Sequence, residues 1–308
     1  MNPADLKIVI IGRNGQLAWE ANQRLQGLGE IICIGRPEVD LMDIENLREG
    51  IRRTKPSVLV NAAAYTAVDQ AESEQEAAMM INSEAPASMA EEAKRLGALF
   101  ITYSTDYVFD GKKSSPYNET DPTAPLNVYG VSKLSGERAV EAVGGSYLIF
   151  RTSWVYGARG RNFLKTILKL AAERPELKIV DDQIGAPTWS RDLADATKKI
   201  IEKLVTQSSS AKTSIREALG DQRGIYHMTA GGSVSWCGFA AAIVEEMGKR
   251  GRPKSGLAKI VPIPSTQYPT PAARPHNSRL CNDKLKNAFG ITLPSWRDSL
   301  GRVMDELG

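Results

Sequence analysis

Tyr129 and Lys133 stand four residues apart in the run YGVSK, which on a helix sets a phenol and an ammonium one above the other on a single face. A free phenol has a pKa of about 10, and a fixed cation beside it lowers that value, making Tyr129 a usable general acid or base. The pair gains weight from Ser104 and Thr105, hydroxyls at the C-terminal end of a run that reads as a parallel strand, where such sheets gather ligands. A second constellation, Gly12-Arg13-Asn14-Gly15-Gln16-Leu17-Ala18, follows the first strand and opens the first helix. A glycine turn there lets a dinucleotide pyrophosphate approach backbone N–H groups at the helix N-terminus, although a merely structural turn is the competing reading. At the end of the second strand, Ile34-Gly35-Arg36 carries a cation where a dinucleotide fold usually offers the adenosine ribose a carboxylate. An arginine suits a 2′-phosphate, which points to NADPH ahead of NADH, with Arg13 as a second contact. The alternative is a solvated loop arginine, and Asp40 or Asp43 can serve the adenine side in either case.

These residues need a scaffold, and the hydrophobic pattern supplies one. Short β-branched runs at Lys7–Ile11, Ile31–Ile34, Val58–Asn61, Leu99–Tyr103 and Tyr147–Arg151 alternate with helical stretches at Gln16–Leu28, Ile44–Lys55, Glu72–Leu96 and Tyr129–Val143. Strands apolar throughout and separated by helices imply a parallel sheet covered on both faces. The expectation is an α/β chain: a Rossmann-type doubly wound parallel sheet with a smaller C-terminal substrate-binding α/β domain. Residues 1–155 and about 181–222 would form the first unit, 156–180 and 223–308 the second. Within the later part, helices are expected at Phe163–Glu173, Arg191–Leu204, Trp236–Lys249 and Trp296–Leu307, with strands at Lys178–Val180 and Ile225–Met228. Thr206–Asp221, polar and serine-rich, reads as an exposed connection or a short insertion, and the prolines from Pro262 to Pro275 predict an ordered loop.

A length of 308 residues excludes a disulfide-stapled miniprotein, and 42% apolar with 24% charged residues is a globular balance. A net charge of +3, from 39 basic and 36 acidic residues, is too small a footprint for nucleic-acid binding, which leaves small-molecule chemistry. Cys33, Cys237 and Cys281 are odd in number and far apart, so neither a disulfide framework nor a thiolate zinc site is indicated, and a reducing cytoplasm fits. No run approaches the roughly 20 apolar residues of a bilayer crossing, so no membrane partner is expected. The two histidines, His227 and His276, have no metal-ligand spacing and are expected at a strand end and in a loop, so no metal is assigned. Asp69, Glu72, Glu74 and Glu76 read as an acidic helix start favoured by the macrodipole.

The blocks GRNGQLA, VNAAAYTAVDQAE, YSTDYVFDG, APLNVYGVSKLSGE, IFRTSWVYG, DQIGAPT and YPTPAARPHNSRL, in this order from Ile8 to about Leu280, together resemble the extended short-chain dehydrogenase/reductases, and within them the dTDP-4-dehydrorhamnose reductase family. The resemblance implies NAD(P)H-dependent reduction of the C4 ketone of dTDP-4-dehydro-β-L-rhamnose to dTDP-L-rhamnose. It implies that Thr105 hydrogen-bonds the reacting carbonyl, that Tyr129 donates the proton and that Lys133 holds the nicotinamide ribose.

By the same likeness, Gly12, Arg13, Asn14, Gly15, Gln16 and Leu17 would cradle the pyrophosphate, with Arg36 at the ribose. Asp43 and Ile44 would lie near adenine, and Ala63, Ala64, Tyr65 and Tyr103 would line the crevice. Asp106 and Trp154, with Asn162, Arg274 and Asn277, would meet the nucleotide-sugar substrate, each with a core or surface role as its alternative. Some relatives bind Mg²⁺ through carboxylates at a dimer contact; this chain offers Glu20 and Glu306 but has Arg191 where a third carboxylate is wanted, which argues against the metal while leaving a homodimer open. Two other readings stand beside the first: a reductase of another nucleotide 4-keto sugar, and a non-catalytic cofactor-binding subunit resembling methionine adenosyltransferase β.

Overall fold

Ile8 and Ile10 point to one side of the first strand, Val9 and Ile11 to the other, and all four are buried. That is the period-two signature of a strand covered on both faces, with each side chain contributing roughly 1.5–3 kcal/mol by leaving water. The computed structural model describes residues 6–251 and 257–308. The chain runs β1 (Lys7–Ile11), α1 (Gln16–Arg24), β2 (Glu30–Ile34), α2 (Ile44–Thr54), β3 (Val58–Asn61), α3 (Val68–Ala71), α4 (Gln75–Met79), α5 (Ala85–Leu96), β4 (Leu99–Thr105), α6 (Val128–Val143) and β5 (Tyr147–Thr152). It continues through β6 (Val155–Tyr156), α7 (Phe163–Glu173), β7 (Glu176–Val180), β8 (Ile184–Gly185), β9 (Thr188–Trp189), α8 (Ser190–Ala211), α9 (Ile215–Leu219), β10 (Gly224–His227), β11 (Val234–Ser235), α10 (Trp236–Lys249), β12 (Lys259–Ile263), α11 (Asp283–Phe289) and α12 (Trp296–Leu307).

Six strands form one parallel sheet in the order β10-β5-β4-β3-β1-β2. The order reverses between β1 and β3, so a crevice opens at their carboxyl ends, the place where doubly wound sheets hold ligands. Side chains of α1, α8, α9 and α11 cover one face and those of α2, α5 and α6 the other. A separate core joins α7, α10 and α12 around Trp189, Phe239 and Val303, with β7 and β12 paired beside it. The expected α/β architecture is therefore present. Among the described residues no helix is long and apolar enough to cross a membrane.

Several local expectations change. Thr206–Asp221 is largely exposed but helical: α8 runs on to Ala211, and Ser214 caps α9 in a reciprocal box with Glu217 that lets Ile215 and Leu219 bury in the main core. The serines hid that amphipathic pattern. The strand Gly224–His227, grouped from sequence with the smaller unit, pairs with β5 in the main sheet. The predicted helix Gln16–Leu28 stops at Arg24 ahead of Gly27, which adopts a φ of 88°. The proline-rich stretch begins inside β12, where Pro262 still holds its register opposite Ile179.

The helical stretch Glu72–Leu96 is interrupted by a π turn at Met80–Glu84, an irregularity that often marks functional sites. It presents Asn82, buried, whose Oδ1 accepts from Tyr65 N at 2.9 Å while its Nδ2 donates to Tyr65 O and Ser132 Oγ, both at 3.0 Å. The turn thereby fastens the segment after β3 to α6. Gly136 permits this contact, because a Cβ there would lie 2.1 Å from the carbonyl oxygen of Asn82. Gly136→Ala must push α6 off the turn, a cost of about 1–3 kcal/mol by overpacking; urea denaturation followed by far-UV circular dichroism should show a lower midpoint, and an unchanged midpoint would show that the backbones separate freely.

Candidate active site

Gly12 takes a φ of 113° and donates its N–H to Ile34 O at 2.8 Å, closing the turn between β1 and α1 across β2. Its missing side chain matters: a Cβ would meet Ala18 at 3.2 Å and the backbone after β3 at 3.4 Å. Gly15 then caps α1 with no side-chain acceptor, so the first-turn N–H groups face the cleft. The cleft, about 810 Å³, lies within the size range of small-molecule sites and is lined by Gly12 through Leu17, Arg36, Ala62 to Ala64, Thr105, Asp106, Tyr129, Lys133 and Trp154. Most of the residues chosen from the sequence thus converge.

At its base α6 starts on Asn127, whose Oδ1 accepts from Gly130 N at 2.8 Å and whose Nδ2 donates to Ala273 O at 2.7 Å. Tyr129 and Lys133 follow on one face. Thr105, the last residue of β4, lines the same cleft as Tyr129, and its Oγ1 donates to Asp106 Oδ1 and accepts from Tyr107 N, both at 3.1 Å. Lys133 is buried and donates from Nζ to the carbonyl of Tyr103 at 2.7 Å.

Burial dominates the protonation of all three titratable groups. It pushes the Tyr129 phenol up to about 12 against the lowering pull of the Thr105 hydroxyl, with the Asp106 charge adding to the rise. The lowering by Lys133 expected from the spacing is not what prevails, since desolvation outweighs a cation engaged with a carbonyl. Lys133 itself is pushed down to about 8, opposed by the charge of Glu137 one turn on. Asp106 rises to about 7 through burial, against the lowering pull of the neighbouring Ser278 and Thr105 hydroxyls. Asp106 Oδ2, Ser104 Oγ and Thr152 Oγ1 are buried without a hydrogen-bond partner among the described residues, and all three residues line the cleft. Such orphaned polar atoms suit a polar ligand.

Other expected residues serve different ends. Asp43 caps α2 through Asn46 N at 3.0 Å, and neither it nor Ile44 is among the residues lining the cleft, whereas Asp40, Leu41 and Met42 are. Tyr65 turns its hydroxyl to Glu74 at 2.9 Å and is not among the lining residues. Tyr103 contributes its carbonyl, while its phenol meets Thr197 Oγ1 at 2.7 Å on the far face of the sheet. Asn162 caps α7 and donates to Gln16 Oε1, Gly157 O and Arg159 O. Asn277 is buried and donates to Lys113 O and Ser115 O. Arg274 forms a bidentate pair with Asp69 at 2.7 and 2.9 Å. All three are thus spent on the protein itself. The acidic run is likewise more than a helix start, since Glu72 Oε1 accepts from Val128 N at 2.9 Å and holds the beginning of α6.

Trp154 does line the cleft, but one indole face stacks on Trp236 at 3.5 Å, and its φ of 49° is rare for a bulky residue. Arg161, beside Gly160 and Gln16 on the rim, and Thr66 and Ile81 were not singled out, because nothing in their spacing marks them. His227 is buried at the end of β10 with its pKa pushed down to about 3 by burial and the Arg151 charge, and His276 sits in a loop with Nδ1 2.9 Å from Asp182 O. Arg191 bridges Glu20 at 3.0 Å and Glu306 at 2.7 Å, so a guanidinium stands between the two carboxylates considered for Mg²⁺, and the donor set does not fit that ion. Among the described residues no cluster of three His, Cys, Asp or Glu could hold a metal.

The family model described as RmlD substrate binding domain matches residues 6–308. The chain is 50% identical to dTDP-4-dehydrorhamnose reductase of Burkholderia thailandensis over 303 residues, covering 98% of this chain and 99% of the relative. It is 43% identical over 306 residues to the dTDP-4-dehydrorhamnose reductase of Escherichia coli, covering 98% of each. The crystal structure of dTDP-4-dehydrorhamnose reductase from Bacillus anthracis in complex with NADP matches with a TM-score of 0.86 at 32% identity, over 98% of this chain and 99% of that one. UDP-glucose 4-epimerase of Thermus thermophilus, 16% identical with a TM-score of 0.77 over 98% and 99% of the two chains, shares the fold.

The Lys133 environment has a direct readout. In protein labelled with ¹³C at lysine Cε, one resonance should titrate near pH 8 and vanish in Lys133→Met; a Lys133 signal titrating above pH 10 with the others would contradict the buried geometry.

Proposed function

The chain belongs to the RmlD substrate binding domain family, and from that premise we propose that it reduces the C4 ketone of dTDP-4-dehydro-β-L-rhamnose to dTDP-L-rhamnose with NADPH as reductant. One observation carries the reading: Tyr129 and Thr105 line the same cleft that the glycine turn opens, with the buried Lys133 ammonium one helical turn on from the phenol. Gly12 through Leu17 would hold the pyrophosphate, Arg36 the 2′-phosphate, and the small side chains Ala62 to Ala64 leave room for a flat ring. A nicotinamide, when bound, supplies hydride to the carbonyl carbon.

Tyr129, which keeps its proton across the neutral range, supplies that proton to the carbonyl oxygen, so hydride plus proton turns ketone into alcohol. Thr105 offers the same oxygen a hydrogen bond. Lys133 stays cationic below about pH 8, which stabilises the negative charge that develops on the oxygen and the phenol in a water-poor site. Asp106 and Trp154 border the space left for the sugar. Neither a different nucleotide 4-keto sugar nor a non-catalytic subunit has an observation in its favour.

With dTDP-4-dehydrorhamnose and NADPH, absorbance at the reduced nicotinamide band should fall for the native protein, and Tyr129→Phe should lower turnover by about 10²–10⁴ at similar NADPH affinity. Equal rates would remove the phenol from this role. Arg36→Ala should raise the KM for NADPH more than for NADH, whereas the same rise for both would mean that no 2′-phosphate is read there.

A further inference from the structure

Two guanidiniums line the rim where β2 ends, and they are not equivalent. Arg36 is exposed and has no hydrogen bond or ion pair within the protein among the described residues. Arg13, from the glycine turn, donates from Nη1 to Glu38 Oε1 at 2.8 Å and from Nη2 to Cys33 O at 3.2 Å. Glu38 is brought there by a turn in which its N–H donates to Gly35 O at 2.8 Å. The Arg13 hydrogen bond also holds its carboxyl below the usual range, so it is ionised wherever the protein works. We propose that Glu38 is an internal competitor for the adenosine 2′-phosphate: it occupies Arg13 with a carboxylate and so narrows the preference for NADPH over NADH.

The inference rests on the nicotinamide reading above and adds a residue that opposes it. A phosphate monoester brings up to two negative charges and three acceptor oxygens, and a guanidinium binds such a group best through two parallel N–H donors. Arg13 can offer those donors only by letting go of Glu38. The carboxylate then remains near the phosphate as a like charge, so it acts against the phosphorylated cofactor twice. With Arg13 42% and Glu38 45% exposed, the pair is the weak, salt-screened kind that a dianion can displace, so the effect is a bias and not a block. NADH brings a ribose hydroxyl to the same place and meets no such competition.

The adenosine end can be tested alone, with 2′,5′-ADP and 5′-AMP titrated by calorimetry and NADPH and NADH titrated by fluorescence. Glu38→Gln should tighten 2′,5′-ADP and NADPH by about three- to tenfold while shifting 5′-AMP and NADH less than twofold. The gain should shrink as salt rises, and when Arg13→Ala is added only the smaller part owed to like charge should remain. Equal tightening of all four ligands, no tightening, or a gain undiminished by Arg13→Ala would overturn the proposal. If NADPH binds the native protein and weakens in Arg36→Ala while Glu38→Gln changes nothing, only this inference fails; if no dinucleotide binds the native protein, the cofactor reading fails with it.

Discussion

The cleft depends on one buried contact, the Lys133 ammonium on the Tyr103 carbonyl, which fixes α6 against the end of β4. Tyr129 lies one turn before that lysine and Thr105 two residues beyond that carbonyl, so a slip of the helix would separate phenol from hydroxyl. The neighbouring constraints act on backbone atoms too: Asn127 on Ala273, Glu72 on Val128, and the close approach of Gly136 to Asn82. Removing an ammonium from water is expensive unless it is paired. Here the carbonyl and the charge of Glu137 compensate, and Glu137 is itself gripped by Arg151 at 2.6 and 2.9 Å where both side chains are buried.

The same exclusion of water sets three protonation states together. It keeps Tyr129 neutral, brings Lys133 within reach of neutrality and lifts Asp106 to about 7, so one proton more or less changes the charge balance in the cleft that all three line. A phenol in such surroundings is held in its protonated form, which suits the proposed reduction better than a phenolate would.

The sheet and the glycine turn were readable because their signals are geometric. Alternating burial in β1, the helix start after Gly15 and the four-residue spacing of Tyr129 and Lys133 follow from backbone periodicity and survive any tertiary context. Where an expected residue has another duty in the structure, the cause is shared. Asn162, Arg274, Asn277 and Asp43 are polar residues near the right place whose side chains satisfy backbone groups or an ion-pair partner, and sequence does not distinguish that duty from ligand contact. Spacing gave the neighbour of Tyr129 correctly but not the desolvation that outweighs it. Asn82 escaped notice because its position depends on a π turn that shifts the helical phase, and the serines after Thr206 concealed the apolar pair Ile215 and Leu219 that a capped helix buries.

The sheet's sixth strand, Gly224–His227, comes more than seventy residues after the β5 edge on which it pairs. During synthesis the apolar rim of Tyr147–Thr152 must therefore wait, its amides and carbonyls unpaired, until the ribosome has delivered the intervening helices and small strands. For that interval the nascent chain carries a sticky border that a second copy or a chaperone could occupy. The polypeptide is consequently a poor candidate for division into independently expressed halves: cutting it anywhere between those two strands would leave a border without its native cover.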